Sequence, residues 1–299
     1  MTTAPVSALW RAARPLQWQK NLLLLAAAVF SVDEHWDAGA LEDWRRVLLR
    51  GLLGVAVFSV ASSAVYLAND ARDAESDRAH PRKRERPIAA GALAAAEATR
   101  WALLLAGVAL VAGYVLAPAF AAVLLAYLVL SALYTRFLRR VPVVEACAIA
   151  AGFGLRAIAG AAAIDVPASG WLVSLATLGA LFVVWLKREQ EQALLGDLAG
   201  AHRSVHRRYR PPFLQVAVGF TGWWIGGIFA AYAVRPGAPG GGLLLLALVP
   251  VTLGLWRFAI LARRAGARPV DELVMRDAPL LGAVVAFLAV SFVVLASGR

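Results

Sequence analysis

The stretch Gly51-Leu-Leu-Gly54-Val-Ala-Val-Phe58-Ser-Val-Ala-Ser-Ser-Ala-Val-Tyr66-Leu-Ala-Asn69-Asp70-Ala-Arg72-Asp73-Ala-Glu75-Ser-Asp77-Arg78 decides how this chain is read. From 47 to 69 the only charge is Arg50, near the start. That is long enough to cross a bilayer core, which takes about 20 mainly apolar residues per helix. The charges then crowd in at its end. Asn69, Asp73 and Asp77 are spaced by four, and Asp70 lies three before Asp73. On a helix they share one face, where like charges repel unless a cation neutralises them. The donors are oxygens, which suits a hard ion such as Mg²⁺ better than zinc. The bland alternative is a solvated helix cap in a loop. Ionisable groups at the membrane end of an apolar helix argue instead for function.

The same apolar pattern recurs on both sides. Residues 101–135 carry no charge and are long enough for two spans broken near Pro118; 211–234 and 278–298 are similar. The whole chain is 61% hydrophobic and 16% charged, with a mean hydropathy of +0.67. A soluble domain has about 25% charged and 45–50% apolar residues, so soluble and disordered readings are excluded. The pattern predicts an all-α polytopic membrane protein, one integral membrane domain over 1–299. Nine helices are expected, at 15–32, 47–68, 99–117, 119–135, 143–164, 170–186, 212–234, 241–262 and 278–297. The first apolar run, 22–32, follows Arg11, Arg14 and Lys20, but no A-x-A cleavage site leads into a soluble domain, so it reads as a span. The single cysteine, Cys147, sits in an Ala-rich span and reads as a small core residue.

Orientation follows from the basic residues of the connections. With the N-terminus inside, 24 of the 30 Lys and Arg fall in the inner segments, while Arg45, Arg46, Arg50, Arg235 and Arg299 lie outside and Arg156 lies within a span. The first outer loop is acidic, with Asp33, Glu34, Asp37, Glu42 and Asp43. The net charge of +11 is thus an inner-face property, and nucleic-acid binding is excluded as its explanation. A second basic run, Arg82-Lys83-Arg84-Glu85-Arg86, follows the acidic motif directly. Such a run attracts lipid headgroups, and beside a metal-carboxylate face it can also clamp phosphates.

An Asn-Asp-x-x-Asp-x-x-x-Asp motif at the end of the second of nine helices resembles the UbiA-type intramembrane transferase superfamily. Arg14-Pro-Leu-Gln-Trp18-Gln-Lys20-Asn21, the blocks 66–91, 134–142 and 152–160, Lys187-Arg188-Glu189-Gln190-Glu191 and the run 201–209 are similar to its polyprenyl-phosphate (decaprenyl-type) phosphoribosyltransferase branch. The likeness covers most of 11–210 and thins out beyond. Superfamily prenyltransferases carry a second Asp-rich motif between helices 6 and 7; here that connection has only Asp197 after Lys187-Arg188-Glu189. The chain also departs from the branch at Glu145, where Asp is usual, and at Arg139, where Lys is common.

The resemblance implies transfer of 5-phosphoribose from phosphoribosyl pyrophosphate to a polyprenyl phosphate at the cytoplasmic face of a bacterial plasma membrane. It implies that Asn69, Asp73 and Asp77 hold Mg²⁺ on the diphosphate, with Asp70 in support, and that Asp73, Asp77 and Lys83 carry the catalysis. Arg86 would clamp the donor. Lys20, Arg139, Arg140, Lys187 and Arg188 are candidates for the remaining phosphates, and Tyr134 for orienting ribose or acceptor. Arg156, inside a span, needs a partner such as Glu145 or a substrate phosphate. His80 and His202 read as loop hydrogen-bonders. A homo-oligomer is compatible with the sequence, which does not fix the oligomeric state. Two alternatives stay open: a prenyltransferase using a prenyl diphosphate donor, and a transporter. The transporter is disfavoured because the charges crowd one membrane face and no internal repeat is visible.

Overall fold

The computed structural model describes residues 6–81, 83–195, 209–264, 273 and 277–297. Among these the chain is all helix, with one isolated bridge between Val32 and Trp36. In order, α1 (Val6–Ala13) leads through Arg14 into a 3-10 helix (Pro15–Leu25) and α2 (Ala26–Phe30). Then come α3 (Leu41–Arg72), α4 (Ala74–Arg78), α5 (Ala95–Leu116), α6 (Pro118–Arg136), α7 (Val144–Ile164) and α8 (Gly170–Leu195). The last elements are α9 (Pro211–Ala233), another long 3-10 helix (Pro239–Ala247), α10 (Leu248–Arg264) and α11 (Ala278–Ala296), and short 3-10 turns lie at Lys83–Glu85 and Leu138–Arg140. Eight helices among the described residues are long and apolar enough to cross a membrane. Large apolar side chains such as Leu103 (71%), Val115 (81%) and Trp223 (85%) face outward, which only a hydrocarbon solvent tolerates on this scale. The chain is a multi-pass integral membrane protein.

The expected first span, 15–32, takes a different form. Its first 11 residues are 3-10 helix, and only five residues of α-helix follow. At about 2.0 Å per residue in the first part and 1.5 Å in the second, the segment extends about 30 Å, the thickness of a bilayer core. The side chains explain the tighter winding. Three residues per turn place Trp18, Asn21 and Leu24 in one line, whereas an α-helix would rotate them apart. Trp18 Nε1 donates to Ser63 Oγ at 3.0 Å, and Asn21 Nδ2 donates to Ser59 Oγ (3.0 Å) and Ser62 Oγ (3.2 Å), all on α3. Leu24 closes the line in the core, and a Cβ on Gly160 of α7 would stand 2.1 Å from its carbonyl oxygen. Only glycine lets the two backbones come so close.

α3 is longer than the apolar run suggests. It continues through Asn69 and Asp70, because Ala71 and Arg72 are good helix formers and nothing before Asp73 stops it. Asp73 is shared between the end of α3 and the start of α4, and its N–H still reaches Asn69 O at 2.9 Å. Beneath this corner, Ala8 and Ala12 of α1, Leu67 of α3, Ala74 of α4, Ile88 and Leu93 of the connection before α5, and Ala98 of α5 form an apolar cluster that fixes the polar end of α3. At the other end of the bundle Arg50 donates from Nε to Ala163 O (2.7 Å) and from Nη2 to Leu116 O (3.0 Å). One guanidinium thus caps the C-termini of α7 and α5, where the helix dipoles favour a cation.

Candidate functional site

The end of α3 collects charge from four segments. Arg14, held at φ 54° and ψ 61° between α1 and the 3-10 helix, sends Nη2 to both oxygens of Asp70, at 2.5 and 2.7 Å. Its guanidinium lies 5.1 Å from the centre of the Tyr66 ring. Arg86 Nη1 bridges Asp70 Oδ1 (3.1 Å) and Asp77 Oδ2 (2.6 Å), and Lys83 Nζ stands 3.9 Å from Asp77 Oδ1. From the turn after α6, Arg139 donates to both oxygens of Asp73 at 2.7–3.0 Å. Thr135 Oγ1, one helical turn earlier, donates to Asn69 Oδ1 at 2.6 Å. Three carboxylates are therefore faced by four cations, and all lie at one end of the bundle.

Asp70 and Asp77 are buried, while Asp73 keeps a quarter of its side chain exposed. Burial alone would raise the Asp73 carboxyl, but the Arg139 hydrogen bonds, with the charges of Arg139, Lys83 and Arg72, hold it below its ordinary 3.8. Arg139 is correspondingly raised, first by its bond to Asp73, and Tyr134 is near enough to contribute. Asp73 is thus ionised throughout the physiological range.

The turn that delivers Arg139 is held in an uncommon way. Val143 has φ 64° and ψ −50°, and Val144 N–H bonds back to Pro142 O at 2.7 Å, a γ-turn that a β-branched residue adopts only at a cost. The Val143 N–H donates to Tyr209 Oη at 2.7 Å. Burial first raises the Tyr209 hydroxyl above its ordinary value, so it stays protonated and keeps its own proton for a second partner.

The expected site residues separate into two groups. Asn69, Asp70, Asp73, Asp77, Lys83, Arg86 and Arg139 meet at the end of α3, with Tyr134 close to Arg139. Lys20 and Lys187 are half-buried on the first 3-10 helix and on α8, and Arg140 is exposed after α6. Arg188 is buried and held by α7: its Nε donates to Glu145 Oε1 at 2.6 Å and its Nη1 pairs with Glu191. The long Glu145 side chain, where the resembled branch has Asp, is what reaches it. Arg156 does not meet Glu145. It lies about 18 Å along α7 from Val144, donating to Asn21 Oδ1 (3.0 Å), Gly152 O (2.9 Å) and Tyr127 Oη (3.3 Å). Phe58, Tyr127 and Phe153 surround it, 4.9–5.1 Å away, so neutral acceptors and π faces replace a counter-ion. His80 accepts from Lys83 N–H at 3.4 Å, a loop bond as expected. Arg82, Asp197 and His202 lie outside the described residues. Arg14 and Thr135 lie in the stretches 14–21 and 134–142 that resemble the branch, but the sequence reading gives neither of them a role. A basic residue directly before the Pro-initiated first span is the signal for Arg14; nothing in the sequence distinguishes Thr135.

The acidic motif offers oxygen donors alone. Among the described residues no three His, Cys, Asp or Glu converge closely enough to hold an ion by themselves. That donor set fits magnesium, which is bound through one or two carboxylates while waters and substrate phosphates complete its shell.

The UbiA prenyltransferase family profile matches residues 22–276. The chain is 32% identical to the decaprenyl-phosphate phosphoribosyltransferase of Mycobacterium tuberculosis strain H37Rv, over 95% of this chain and 93% of that one. It is 33% identical to the protein of the same name from Mycolicibacterium smegmatis, covering 91% and 87%. Among solved structures, a UbiA homolog from Archaeoglobus fulgidus bound to DMAPP and Mg²⁺ superposes with a TM-score of 0.70 at 15% identity, covering 96% of this chain and 98% of that one. At that identity the likeness is one of fold.

Proposed function

The chain belongs to the UbiA prenyltransferase family, and on that premise we propose that it transfers 5-phosphoribose from phosphoribosyl pyrophosphate to a polyprenyl (decaprenyl-type) phosphate, releasing pyrophosphate. The observation that carries this reading is the charge balance at the end of α3. Arg14, Lys83, Arg86 and Arg139 outnumber Asp70, Asp73 and Asp77 by one even before any metal is bound. A prenyl diphosphate has one anionic end. Phosphoribosyl pyrophosphate has a diphosphate and a 5-phosphate, and the lipid acceptor brings another phosphate. One acidic motif surrounded by excess cations suits that pair of substrates, and near-full-length identity to relatives of that name supports it.

In this reading Asn69, Asp73 and Asp77 would hold Mg²⁺, with Asp70 in support, and the ion when bound would supply positive charge that offsets the charge of the diphosphate. The guanidiniums now on the carboxylates are the groups the substrate recruits. Arg86 turns from Asp70 and Asp77 to the diphosphate, and Lys83, at 3.9 Å from Asp77, reaches the leaving oxygen. The C1–O bond of the ribose breaks with its electron pair leaving on pyrophosphate. An oxygen of the acceptor phosphate closes on the oxocarbenium-like C1 from the opposite side. A phosphate monoester is already anionic near pH 7, so no strong base is needed. Position and charge neutralisation supply the rate. Arg139, Arg140, Lys20 and Lys187 are left for the 5-phosphate and the acceptor phosphate, with Tyr134 orienting one of them. Arg156 and Arg188 act through the helices they tie together. A water-soluble donor places this end of the bundle on the cytoplasmic side, which agrees with the basic bias of the inner segments.

The test is label transfer. Membranes containing the protein are given radiolabelled phosphoribosyl pyrophosphate and decaprenyl phosphate, with and without Mg²⁺. Label should enter the lipid fraction only with Mg²⁺, and Asp73→Asn should abolish it. Transfer from a prenyl diphosphate with none from phosphoribosyl pyrophosphate would overturn the donor assignment.

A further inference from the structure

At the end of the bundle opposite the acidic motif, a cavity of about 290 Å³ opens between the loop after α2, the start of α8 and the end of α9. Its volume lies at the lower limit of small-molecule sites, enough for a headgroup and too little for a whole lipid. It is lined by both signs of charge. Arg235 pairs with Glu34 at 2.5 Å, donates to Tyr232 O at 2.9 Å and lies 4.0 Å from the centre of the Tyr232 ring. Tyr232 itself also lines this cavity. The residue is 3% exposed, and its hydroxyl can at most accept from the neighbouring Arg235 side chain, so its own proton finds no acceptor among the described groups. A buried phenol left in that state costs stability unless a ligand oxygen accepts from it. His35 and Trp171, whose ring lies 6.0 Å from that of Tyr232, also line it.

We propose that this cavity binds the headgroup of a zwitterionic phospholipid carrying a primary ammonium, from the leaflet opposite the acidic site. Tyr232 and Arg235 donate to the phosphate. Glu34 accepts from the ammonium, which also lies against the Trp171 face. The pairing of Arg235 with Glu34 leaves the cavity without net charge, so it selects a headgroup that is itself neutral overall. The location agrees: the cavity sits where the spans end, at the level of lipid headgroups, and the partly exposed Trp171 lines it. This site is separate from the transferase reading and stands or falls without it.

The experiment uses the full chain purified in detergent and exchanged with equimolar phosphatidylethanolamine, phosphatidylglycerol and phosphatidylcholine, retained lipid being read by native mass spectrometry. The wild type should keep one phosphatidylethanolamine in preference to the other two. Tyr232→Phe removes one hydroxyl without changing the packing and should weaken retention by about tenfold, as expected for one lost bond to a charged group. Glu34→Gln leaves Arg235 uncompensated and should reverse the preference towards phosphatidylglycerol. A wild type that keeps phosphatidylglycerol or phosphatidylcholine equally well overturns the proposal. So does a Tyr232→Phe chain with wild-type retention, or a Glu34→Gln chain with an unchanged order of preference. The reversal is a change of selectivity, which poor folding would not produce.

Discussion

Arg139 engages both oxygens of Asp73 across 66 residues of sequence, so the turn after α6 is fastened to the acidic end of α3 by a two-pronged ion pair. A carboxyl held below its ordinary value binds its proton less readily folded than unfolded. The pair therefore contributes stability above the unfolded value near 3.8 and loses it as pH falls through the lower folded value. In the wild type Asp73 should keep its charge to below about pH 4. Replacing Arg139 with Gln leaves burial opposed only by Lys83 and Arg72, so the Asp73 pKa moves up. The acid limb of the pH profile for label transfer should then move towards neutral, with kcat/KM about tenfold or more lower. Superimposable profiles for the two proteins would show that this ion pair plays no part in the working enzyme.

The second prediction concerns the seam between the first 3-10 helix and α7. A methyl group at residue 160 would stand 2.1 Å from Leu24 O and 2.9 Å from Leu24 Cα, both backbone atoms that cannot swing aside. Gly160→Ala should cost about 1–3 kcal/mol or more, the range of overpacking in a close-packed core. It should appear as a lower thermal midpoint in detergent. Because the same 3-10 helix carries Trp18 and begins beside Arg14, activity should fall as well, and the thermal loss should be the earlier sign. Gly107, where an added methyl would meet nothing within 4 Å, is the matched control and should accept Ala without loss.

How much of this is legible in the sequence depends on how local each determinant is. The spans from α3 to α11 follow from apolar runs, and the acidic face follows from a spacing of four on one helix, so both are readable. The winding of the first span is not. Its 3-10 form depends on Ser59, Ser62 and Ser63, some 40 residues away, which hold Trp18 and Asn21 in line. The partners of buried charges are equally non-local. Arg156 and Glu145 lie on the same helix and look like a natural pair. Their positions, 11 residues apart, send Arg156 to Asn21 and Glu145 to Arg188 of α8. Arg14 is visible as a basic residue before a span, at the head of a stretch that resembles the branch, but only its left-handed backbone aims it at Asp70.

At the opposite end, Arg50 is the lone charge in the apolar run of α3, and its two bonds to Ala163 O and Leu116 O give a third prediction. Arg50→Met keeps the aliphatic bulk but leaves two helix C-termini without their cation. Each such bond is worth about 1.5–3 kcal/mol when the donor is charged, which sets the ceiling of the loss. The measurement is unfolding midpoint alongside the KM for phosphoribosyl pyrophosphate. The midpoint should drop and the KM should stay put, since α3 separates residue 50 from Asp70 by about 30 Å. A change in KM at unchanged stability would place Arg50 in the transfer chemistry, contrary to this geometry.

The fourth prediction rests on Val143, whose γ-turn lies between Arg139, which grips Asp73, and Glu145, which grips Arg188. Holding a β-branched residue at positive φ costs about 1–3 kcal/mol, and the bond from its N–H to Tyr209 Oη is one of the contacts that offset it. Tyr209→Phe removes that acceptor while keeping the ring against Trp185 and Phe213. The turn should relax, Arg139 should lose its aim, and the KM for phosphoribosyl pyrophosphate should rise by about tenfold, equivalent to about 1.4 kcal/mol. Val143→Gly removes the steric cost at the same place, since glycine takes positive φ readily. The double variant Val143→Gly with Tyr209→Phe should therefore recover part of the lost affinity. A merely structural role for Tyr209 predicts the opposite: lower stability, unchanged KM and no rescue by glycine. A strained turn held by a distant tyrosine predicts the rescue, because only then is the backbone conformation itself what the tyrosine maintains.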